Sequence, residues 1–248
     1  MEPCLLIRGL SRQQLHWGLF PRYLKEMGGG RIQFEDLPGF GERRDILSPT
    51  TIEEISASIA ESVTQQTSKV NLIGISLGGM VALELARVHP HKINSLVLIN
   101  SSFKPYAKFY ERLKPSAYSS VIQALLNPRV KESERKILKL STNFRQDDSG
   151  LLEEWINIRT QHPPSRRSTI RQIMAASRYC FNGPKPIENI MMLASRKDKI
   201  VNPICTKHAA KAWGISPLIH DAAGHDLALD APKWLAQEIS DWYKHIGA

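Results

Sequence analysis

The apolar positions of this chain fall into short buried runs that alternate with stretches of helical spacing. Each run is followed by a turn and then by apolar residues three or four positions apart, which is typical of parallel strands connected by helices. The pattern predicts strands over 4–7, 70–75, 95–99 and 190–194, with shorter candidates at 31–35 and 217–220. Helical patterns occupy 15–25, 52–66, 80–89, 204–213 and 231–245. This order predicts an α/β fold in which helices flank a mostly parallel, doubly wound sheet.

The alternation stops between residues 103 and 185. That stretch contains helix-like segments broken by prolines, such as Pro105, Pro115 and the Pro163-Pro164 pair, and it has no strand pattern. We therefore predict that residues 1–102 and 186–248 form the core of the molecule. Residues 103–185 are predicted to form a helical cap, or lid, inserted after a central strand and resting over the strand ends.

The charge of the chain is concentrated in the predicted cap. The 248 residues are 42% apolar and 23% charged, which suits one large globular domain or a core with an insertion. The net charge is +9, and residues 103–185 hold sixteen Lys and Arg against seven Asp and Glu. The other 165 residues carry seventeen of each sign. All of the excess positive charge therefore lies in one contiguous third of the chain.

The first residues and the cysteines indicate a cellular compartment. Met-Glu-Pro-Cys-Leu-Leu-Ile has an acid at position 2 and an apolar stretch too short for export or for a membrane span. Cys4, Cys180 and Cys205 lie far apart, without the spacing of a metal site or a disulfide framework. We expect a soluble cytoplasmic protein in which these cysteines pack.

Residues 74–79 read Gly-Ile-Ser-Leu-Gly-Gly and lie between a predicted strand and a predicted helix. A Gly-x-Ser-x-Gly at such a junction forms a tight turn that exposes the serine hydroxyl above the sheet. Glycine at positions 74 and 78 avoids clashes that a side chain would create there. The N-terminus of the following helix points at the same place and favours a developing negative charge. Ser76 is therefore the predicted nucleophile.

A serine hydroxyl needs a base within hydrogen-bond reach and an acid that orients the base. Among the eight histidines, His225 lies in a loop directly after a predicted strand, downstream of the other required parts. Asp198 follows the strand over 190–194 through a short turn. The other position for an acid is the preceding strand end, but residues 100–102 read Asn-Ser-Ser and offer no carboxylate. The predicted catalytic residues are Ser76, Asp198 and His225.

The tetrahedral oxyanion of acyl transfer needs two backbone donors. One is the amide of the residue after the nucleophile, which is Leu77. The other comes from the loop after an early strand, here Arg8-Gly9-Leu10-Ser11, where the amide of Leu10 is the natural donor.

Together these residues resemble the α/β-hydrolase family over residues 4–102 and 186–246. The motifs that carry the resemblance are Arg8-Gly9 with His16-Trp17, Asp36-Leu37-Pro38-Gly39-Phe40-Gly41, Gly74-Ile75-Ser76-Leu77-Gly78-Gly79, Arg196-Lys197-Asp198 and Gly224-His225-Asp226. The resemblance implies hydrolysis through an acyl-enzyme, with neither a metal nor an organic cofactor. It also implies that the segment over 36–41 shapes the fold and does no catalytic work.

The chain departs from the family pattern in two places. Members usually have His-Gly before the oxyanion residue, whereas this sequence has Arg8-Gly9, which changes the hydrogen bonding there. Most members also have an antiparallel hairpin before the strand that here begins at residue 4, so the hairpin is either absent or further upstream. Serine at position 76 argues against dehalogenases and epoxide hydrolases, which use an aspartate nucleophile.

Within the family, the sequence is most similar to carboxylesterases with a helical cap, and among these to the pimeloyl-carrier-protein methyl ester esterases of biotin synthesis. A basic cap would steer an acidic acyl carrier protein toward the pocket, although a solvated surface explains the same charge. The candidate carrier contacts are Arg129, Arg135, Arg159, Arg166, Arg167 and Arg171. Candidate substrate contacts are Leu10, Ile137, Leu138 and Ser141, and burial in the core of the cap is the alternative for those in the cap.

Two other functions stay open. The same catalytic residues serve thioester hydrolysis, C–C bond hydrolysis or a lyase reaction, and the pocket decides among them. A non-catalytic ligand-binding protein of the same fold is a second alternative. We expect no nucleic-acid partner, because only the charge suggests one and the cap has no recognised motif with interleaved aromatic residues. The sequence leaves the oligomeric state open.

Overall fold

The computed structural model of the protein describes residues 2–127 and 129–247. In this part of the chain the strands are β1 (Cys4–Ile7), β2 (Ile32–Glu35), β3 (Val70–Ile75), β4 (Ile93–Ile99), β5 (Ile190–Ser195) and β6 (Leu218–His220). They form one sheet in the order β2-β1-β3-β4-β5-β6, and every neighbouring pair is parallel. The predicted α/β class with a parallel central sheet is confirmed.

Helices follow or separate the strands throughout the described residues. They are α1 (Phe20–Glu26), α2 (Ile52–Ser58), α3 (Glu61–Thr64), α4 (Leu77–Val88), α5 (Phe109–Arg112), α6 (Pro115–Leu126), α7 (Val130–Ser141), α8 (Ser149–Gln161), α9 (Arg166–Arg178), α10 (Ile204–Ala212), α11 (Leu227–Asp230) and α12 (Pro232–Ile246). Short 3-10 turns occupy Gln14–Trp17, Gly41–Arg43 and Pro90–Lys92. None of these helices combines the length and the apolar character needed to cross a bilayer.

The strands supply two hydrophobic layers because successive side chains point to opposite faces of a sheet. In β1, Leu5 and Ile7 pack into one layer with residues of α2 and α4. Cys4 and Leu6 pack into the other layer with residues of α1 and α12. Covering both faces in this way buries the four inner strands β1, β3, β4 and β5, which explains why these strands are largely apolar.

The register of the strands aligns their carboxyl ends at one edge of the sheet. Ile75 at the end of β3 pairs with Ile99 at the end of β4, and Ile99 pairs with Leu193 in β5. The residues that follow these strands, including Ser76 and Asn100, therefore lie side by side. In open parallel sheets this edge is where ligands bind.

Residues 103–185, called the insert from here on, lie between β4 and β5 in the chain. Their described part forms α5 to α9 without a strand, although an isolated bridge pairs Lys104 with Cys180. Leu138 and Trp155 of the insert pack with Leu229 of α11 in a separate hydrophobic cluster. The insert therefore has its own core, and this core continues onto the segment that follows β6.

Two predicted helices differ from the observed ones for local reasons. The pattern over 52–66 is interrupted after Ser58, where the hydroxyls of Ser58 and Ser62 bond backbone carbonyls of the preceding turn and compete with the helical pattern. The pattern over 15–25 is interrupted at Gly18, whose φ is +58°. Helix α4 begins at Leu77 rather than at residue 80, because two glycines give its first turn no periodic apolar signal.

Candidate active site

Ser76 lies at the turn between β3 and α4, with a backbone φ of 57° and a ψ of −121°. A positive φ costs a non-glycine residue roughly 1–3 kcal/mol, so the surroundings must hold it in place. The Ser76 N–H donates to the carbonyl of Ile99 at 2.8 Å, and the Ser76 carbonyl accepts from the hydroxyl of Ser101 at 2.8 Å. Ser76 itself is partly exposed within the stretch 70–86, which is otherwise buried.

Two glycines make this turn possible. A Cβ on Gly74 would lie 2.5 Å from the carbonyl oxygen of Gly78. A Cβ on Gly78 would lie 2.3 Å from the carbonyl oxygen of Ile7 at the end of β1. Both neighbours are backbone atoms that have little room to move, so the Gly-x-Ser-x-Gly spacing is a steric requirement of this strand-to-helix turn.

His225 and Asp198 form a buried pair. The Nδ1 of His225 bonds Oδ2 of Asp198 at 2.7 Å, and Oδ1 of the same carboxylate accepts from the N–H groups of Ile200 and Val201 at 2.7 and 3.0 Å. Because a carboxylate faces Nδ1, the neutral imidazole carries its proton there and leaves Nε2 as a free acceptor. This tautomer is the one that a general base requires.

The surroundings of His225 act on its pKa in opposite directions. Burial lowers the pKa of His225 because the imidazolium loses hydration, but the charge and hydrogen bond of Asp198, helped by the charge of Asp226, raise it. The raising effects are larger, so the pKa of His225 lies above its ordinary value of 6.5. Arg8 opposes this increase through its positive charge.

Ser76 and His225 lie at the same edge of the sheet. Among the described residues, the Ser76 hydroxyl and the His225 imidazole form no hydrogen bond with each other. Such bonds are often long before substrate binds and shorten in the complex. The adjacent residues Ile99 and Asn100 connect the Ser76 turn to the His225 loop. Ile99 accepts from the Ser76 amide, and the side chain of the next residue, Asn100, donates to the His225 carbonyl at 2.7 Å.

Asn100 was not among the predicted site residues. Its backbone φ is 47°, and its side chain also bonds Ser195 at the end of β5, through the Ser195 amide at 2.8 Å and the Ser195 hydroxyl at 3.1 Å. It thus joins β4, β5 and the loop that carries His225. The signal for Asn100 in the sequence is the polar Asn-Ser-Ser run directly after a buried strand.

The predicted oxyanion donors flank the Ser76 turn. A Cβ on Gly9 would lie 3.7 Å from the Oγ of Ser76, so the loop after β1 runs directly against the nucleophile. Among the described residues, neither the Leu10 amide nor the Leu77 amide donates a hydrogen bond to a protein acceptor. The N–H groups of Leu10 and Leu77, which follow Gly9 and Ser76, are therefore both free.

Arg8 explains the departure from the usual His-Gly pair. Its guanidinium bonds both carboxylate oxygens of Asp226, the Nη1 contact being 3.1 Å, and it packs 4.8 Å from the ring centre of Trp17. Both partners of this ion pair are buried. The chain therefore ties the loop after β1 to the residue that follows His225.

The segment over 36–41 is held by Asp36. Its carboxylate accepts from the amides of Gln14 and Glu42 at 2.7 and 3.1 Å. A Cβ on Gly41 would lie 1.9 Å from that carboxylate, so glycine is required for the loop to close around it. These contacts hold the segment in its observed conformation.

The candidate substrate contacts lie in different surroundings. Ile137 lines a cavity of about 260 Å³ between the insert and the loop after β1, which Ser76 and His225 do not line. Leu138 is buried in the core of the insert, and Leu10 packs against the hydrophobic layer of the sheet. The Ser141 hydroxyl bonds the Ile137 carbonyl at 2.8 Å, while the Ser141 carbonyl accepts from the amide of Asp226 at 2.8 Å.

The six candidate arginines of the insert are not equivalent. Arg159 is directed inward, where it bonds Glu134 at 2.7 Å, and Arg171 bonds the carbonyl of Ser48. Arg135 pairs with Glu132 on its own helix at 3.2 Å. The exposed candidates are Arg129, Arg166 and Arg167.

Two of the three cysteine thiols are buried. Burial raises the pKa of Cys4 to about 11 and that of Cys205 to about 12, so both thiols stay protonated near neutral pH. No three His, Cys, Asp or Glu side chains lie together as metal ligands within the residues that the structure describes.

Comparisons with known proteins show which family the chain belongs to. The model of the alpha/beta hydrolase family matches residues 4–238. A 2-hydroxy-6-oxononadienedioate/2-hydroxy-6-oxononatrienedioate hydrolase of Burkholderia vietnamiensis is 24% identical over 177 residues, which cover 70% of this chain and 60% of that protein. A pimeloyl-[acyl-carrier protein] methyl ester esterase of Aeromonas hydrophila is 29% identical over 134 residues, 51% of this chain and 50% of that one.

A solved structure gives a likeness over nearly the whole chain. The enol-lactonase of Burkholderia xenovorans LB400 superposes with a TM-score of 0.79 at 16% identity, covering 98% of this chain and 91% of the lactonase. At that identity the likeness establishes the fold alone. The chain spans about 60% of the length of the Burkholderia vietnamiensis relative and half of the Aeromonas relative. The family model, in contrast, covers almost all of this sequence, and the chain belongs to the alpha/beta hydrolase family.

Proposed function

We propose that this protein is a serine hydrolase that cleaves a carboxylic ester through an acyl-enzyme intermediate. The observation that carries the proposal is the buried 2.7 Å hydrogen bond from His225 to Asp198, on the sheet edge that also holds the strained turn of Ser76. That bond leaves Nε2 of the imidazole unprotonated. A hydroxyl on a left-handed turn and an oriented base are the two parts that nucleophilic acyl transfer needs.

In the proposed reaction, the Oγ of Ser76 attacks the ester carbonyl while Nε2 of His225 takes the hydroxyl proton. The imidazolium that forms is stabilised by Asp198, which keeps its negative charge. His225 then gives the proton to the departing alkoxide, and the alcohol leaves. Water, deprotonated by the same imidazole, attacks the acyl-enzyme. The acid then leaves as the imidazolium returns the proton to the Oγ of Ser76, which restores both residues.

The oxyanion of each tetrahedral intermediate would accept hydrogen bonds from the amides of Leu10 and Leu77. Loss of one such donor typically costs about 3 kcal/mol of transition-state stabilisation. The free state of both amides supports this role, since neither is used by the protein's own acceptors among the described residues. The N-terminus of α4 adds a favourable dipole at the same point.

We further propose that the insert is a lid over this site and that the ester is carried by an acidic acyl carrier protein, as in pimeloyl-carrier-protein methyl esters. The support is the positive charge of the insert and the exposure of Arg129, Arg166 and Arg167. A carrier's phosphopantetheine phosphate is a matching anion. The Aeromonas relative bears the name of such an esterase.

The test of the serine mechanism is labelling with a fluorophosphonate, followed by peptide mapping with mass spectrometry. We expect a stoichiometric adduct on Ser76, loss of the adduct in Ser76→Ala, and normal labelling in Ser177→Ala, a matched exposed serine of α9. An adduct on another residue, or none, contradicts the proposal.

Hydrolysis of a C–C bond is the second candidate, because the Burkholderia vietnamiensis relative is named for a 2-hydroxy-6-oxo acid. A panel containing p-nitrophenyl esters of graded length, an acyl-carrier-protein methyl ester, a thioester and a 6-oxo dienoate separates these reactions. Turnover of the ketone but not of the esters would favour the second candidate. A binding protein without catalysis would retain its biological activity as Ser76→Ala.

A further inference from the structure

The cavity between the insert and the loop after β1 has a positively charged, partly apolar wall. Its volume is about 260 Å³. The core contributes Ser11 and Arg12, and the insert contributes Glu134 and Arg159. The remaining surface is largely apolar and includes Phe40, Ile122, Ala124, Ile137, Ile158 and Ile170. A guest that suits this wall has a hydrocarbon chain and an anionic end.

The charges around the cavity do not balance. Arg12, Arg159 and Arg166 line it, and Glu134 is the one acid among its described lining residues. Glu134 is buried between two of these arginines, at 2.8 Å from Arg12 and 2.7 Å from Arg159. His16 adds no charge to the cavity, since burial and the charge of Arg12 lower its pKa well below the ordinary value. The cavity therefore has an excess of positive charge.

Arg12 lines this cavity and has an unused donor buried beside it. Its Nη1 is 2.8 Å from Glu134 and 3.1 Å from the Nε2 of His16, and its guanidinium lies 3.9 Å from the ring centre of Trp155. Its Nη2 is buried and has no acceptor among the described residues. The side chain as a whole is only 9% exposed. A buried charged donor without a partner is costly, so an acceptor from outside the protein would relieve it.

The loop after β1 connects the turn of Ser76 to this cavity. The backbone of Gly9 lies against Ser76, and the Arg12 amide donates to the Gly9 carbonyl at 3.2 Å. Ser11, which lines the cavity, is two residues from Gly9, and two Cα steps span at most about 7.6 Å. The inference takes the acyl chain of a substrate bound at Ser76 to extend along this loop to the cavity.

We propose that Arg12 determines specificity by binding, through Nη2, a carboxylate at the far end of the substrate's acyl chain. The preferred substrates are then monoesters of dicarboxylic acids, with the apolar wall around the methylene groups. The inference rests on the proposed esterase function and names its substrate class. It is an alternative to the carrier-bound ester, whose acyl chain has the thioester of the carrier at its far end instead of a carboxylate. Arg12 acts on substrate recognition and takes no part in the chemical step.

The kinetic test compares mono-p-nitrophenyl adipate with p-nitrophenyl heptanoate, an uncharged ester of similar length. We expect the wild-type protein to favour the adipate ester by about 10-fold in kcat/KM, the size expected for one charged hydrogen bond. In Arg12→Gln this ratio should fall about 10-fold, with a smaller fall in Arg12→Lys. Arg87→Gln is the matched control, because Arg87 also pairs with a buried glutamate, Glu84, away from the cavity.

A wild-type ratio at or below one, or an equal ratio in Arg12→Gln, overturns the inference while leaving the esterase proposal intact. If neither ester is hydrolysed, the esterase proposal fails and calorimetric binding of hexanoate and 1-hexanol to the wild-type protein decides the inference. Tighter binding of hexanoate that weakens in Arg12→Gln, or in Arg12→Lys if the first variant does not fold, supports the anion site. Equal binding of the two ligands contradicts it.

Discussion

The guanidinium of Arg8 bonds both carboxylate oxygens of Asp226, so the strand end beside the oxyanion loop is joined to the residue after His225. The two side chains are 4% and 5% exposed. Removing two charges from water is costly, and only their close bidentate contact compensates. Such a pair contributes little net stability, but it fixes the relative position of the two loops that the proposed reaction uses.

Removing one member of this ion pair should destabilise the protein far more than replacing both members with apolar residues. Arg8→Gln leaves a buried carboxylate unpaired, and we expect the free energy of unfolding to fall by about 3–5 kcal/mol. Arg8→Met with Asp226→Leu removes both charges and should cost much less. Urea unfolding of the single and double variants measures the difference, and a double variant as unstable as Arg8→Gln would contradict the assignment.

The raised pKa of His225 predicts opposite pH dependences for activity and stability. The base must be neutral, so kcat/KM should increase with pH and level off above a midpoint higher than 6.5. The protonated imidazole is stabilised in the folded protein, so this contribution to stability is complete below the unfolded value of 6.5 and is lost as pH rises through the folded pKa. A kcat/KM profile with a midpoint below 6.5 would contradict the electrostatic effect of Asp198.

Asp198→Asn tests the orienting role. The amide cannot stabilise the imidazolium and favours the wrong tautomer, and the corresponding change in a serine protease lowers kcat by about 10⁴-fold. We expect a loss on the order of 10³–10⁴-fold, together with a lower midpoint in the pH profile, because a raising effect on the His225 pKa is removed. Asp221→Asn is the control, since this exposed acid lies in the loop that carries His225 and pairs with Arg196 at 2.7 Å. An equal loss in both variants would argue against Asp198.

Gly78→Ala should destabilise the protein by several kcal/mol, because the new Cβ would meet the Ile7 and Arg8 carbonyl oxygens at 2.3 and 2.5 Å. Gly150→Ala is the matched control in the first turn of α8, where the new Cβ has only an ordinary contact of 3.5 Å with Asp148. Alanine there should be neutral or stabilising by up to about 1 kcal/mol. Thermal unfolding of the two variants distinguishes a steric requirement from a general preference for glycine.

Docking of a carrier protein predicts a salt-dependent rate that a small ester does not share. The double variant Arg129→Gln/Arg167→Gln removes two exposed positive charges of the insert. We expect the ratio of kcat/KM for a carrier-bound ester to that for a p-nitrophenyl ester to decrease several-fold, and the decrease to shrink at high salt. Lys244→Gln, an exposed charge on α12, is the control. An unchanged ratio indicates that the charge is a solvated surface.

The strands could be predicted to within two residues because a buried parallel strand is an uninterrupted apolar run. The helix ends could not, since capping and serine hydroxyl competition decide them locally, as at Ser58. The pairing of Asp198 with His225 followed from chain order and strand ends, and the observed hydrogen bond agrees with it. The roles of these residues in catalysis stay a prediction.

What the sequence did not reveal are the contacts between distant polar side chains. Arg8 appeared only as a departure from the family pattern, and its partner Asp226 is 218 residues away. Arg159 was predicted as a candidate carrier contact of the basic cap, yet it bonds buried Glu134. Direction and partner depend on how the insert packs on the core, and no local pattern encodes that.

The end of α7 is bonded to the loop that carries His225, and this restricts how the insert can move relative to the core. The Ser141 carbonyl accepts from the Asp226 amide, Asp230 accepts from the amides of Asn143 and Gly224, and the backbones approach so closely that a Cβ on Gly224 would lie 2.8 Å from the Ser141 oxygen. An outward movement of α7 at this point would break the hydrogen bonds that hold the His225 loop. A chimera that exchanges the insert must therefore reproduce this attachment to keep His225 in place.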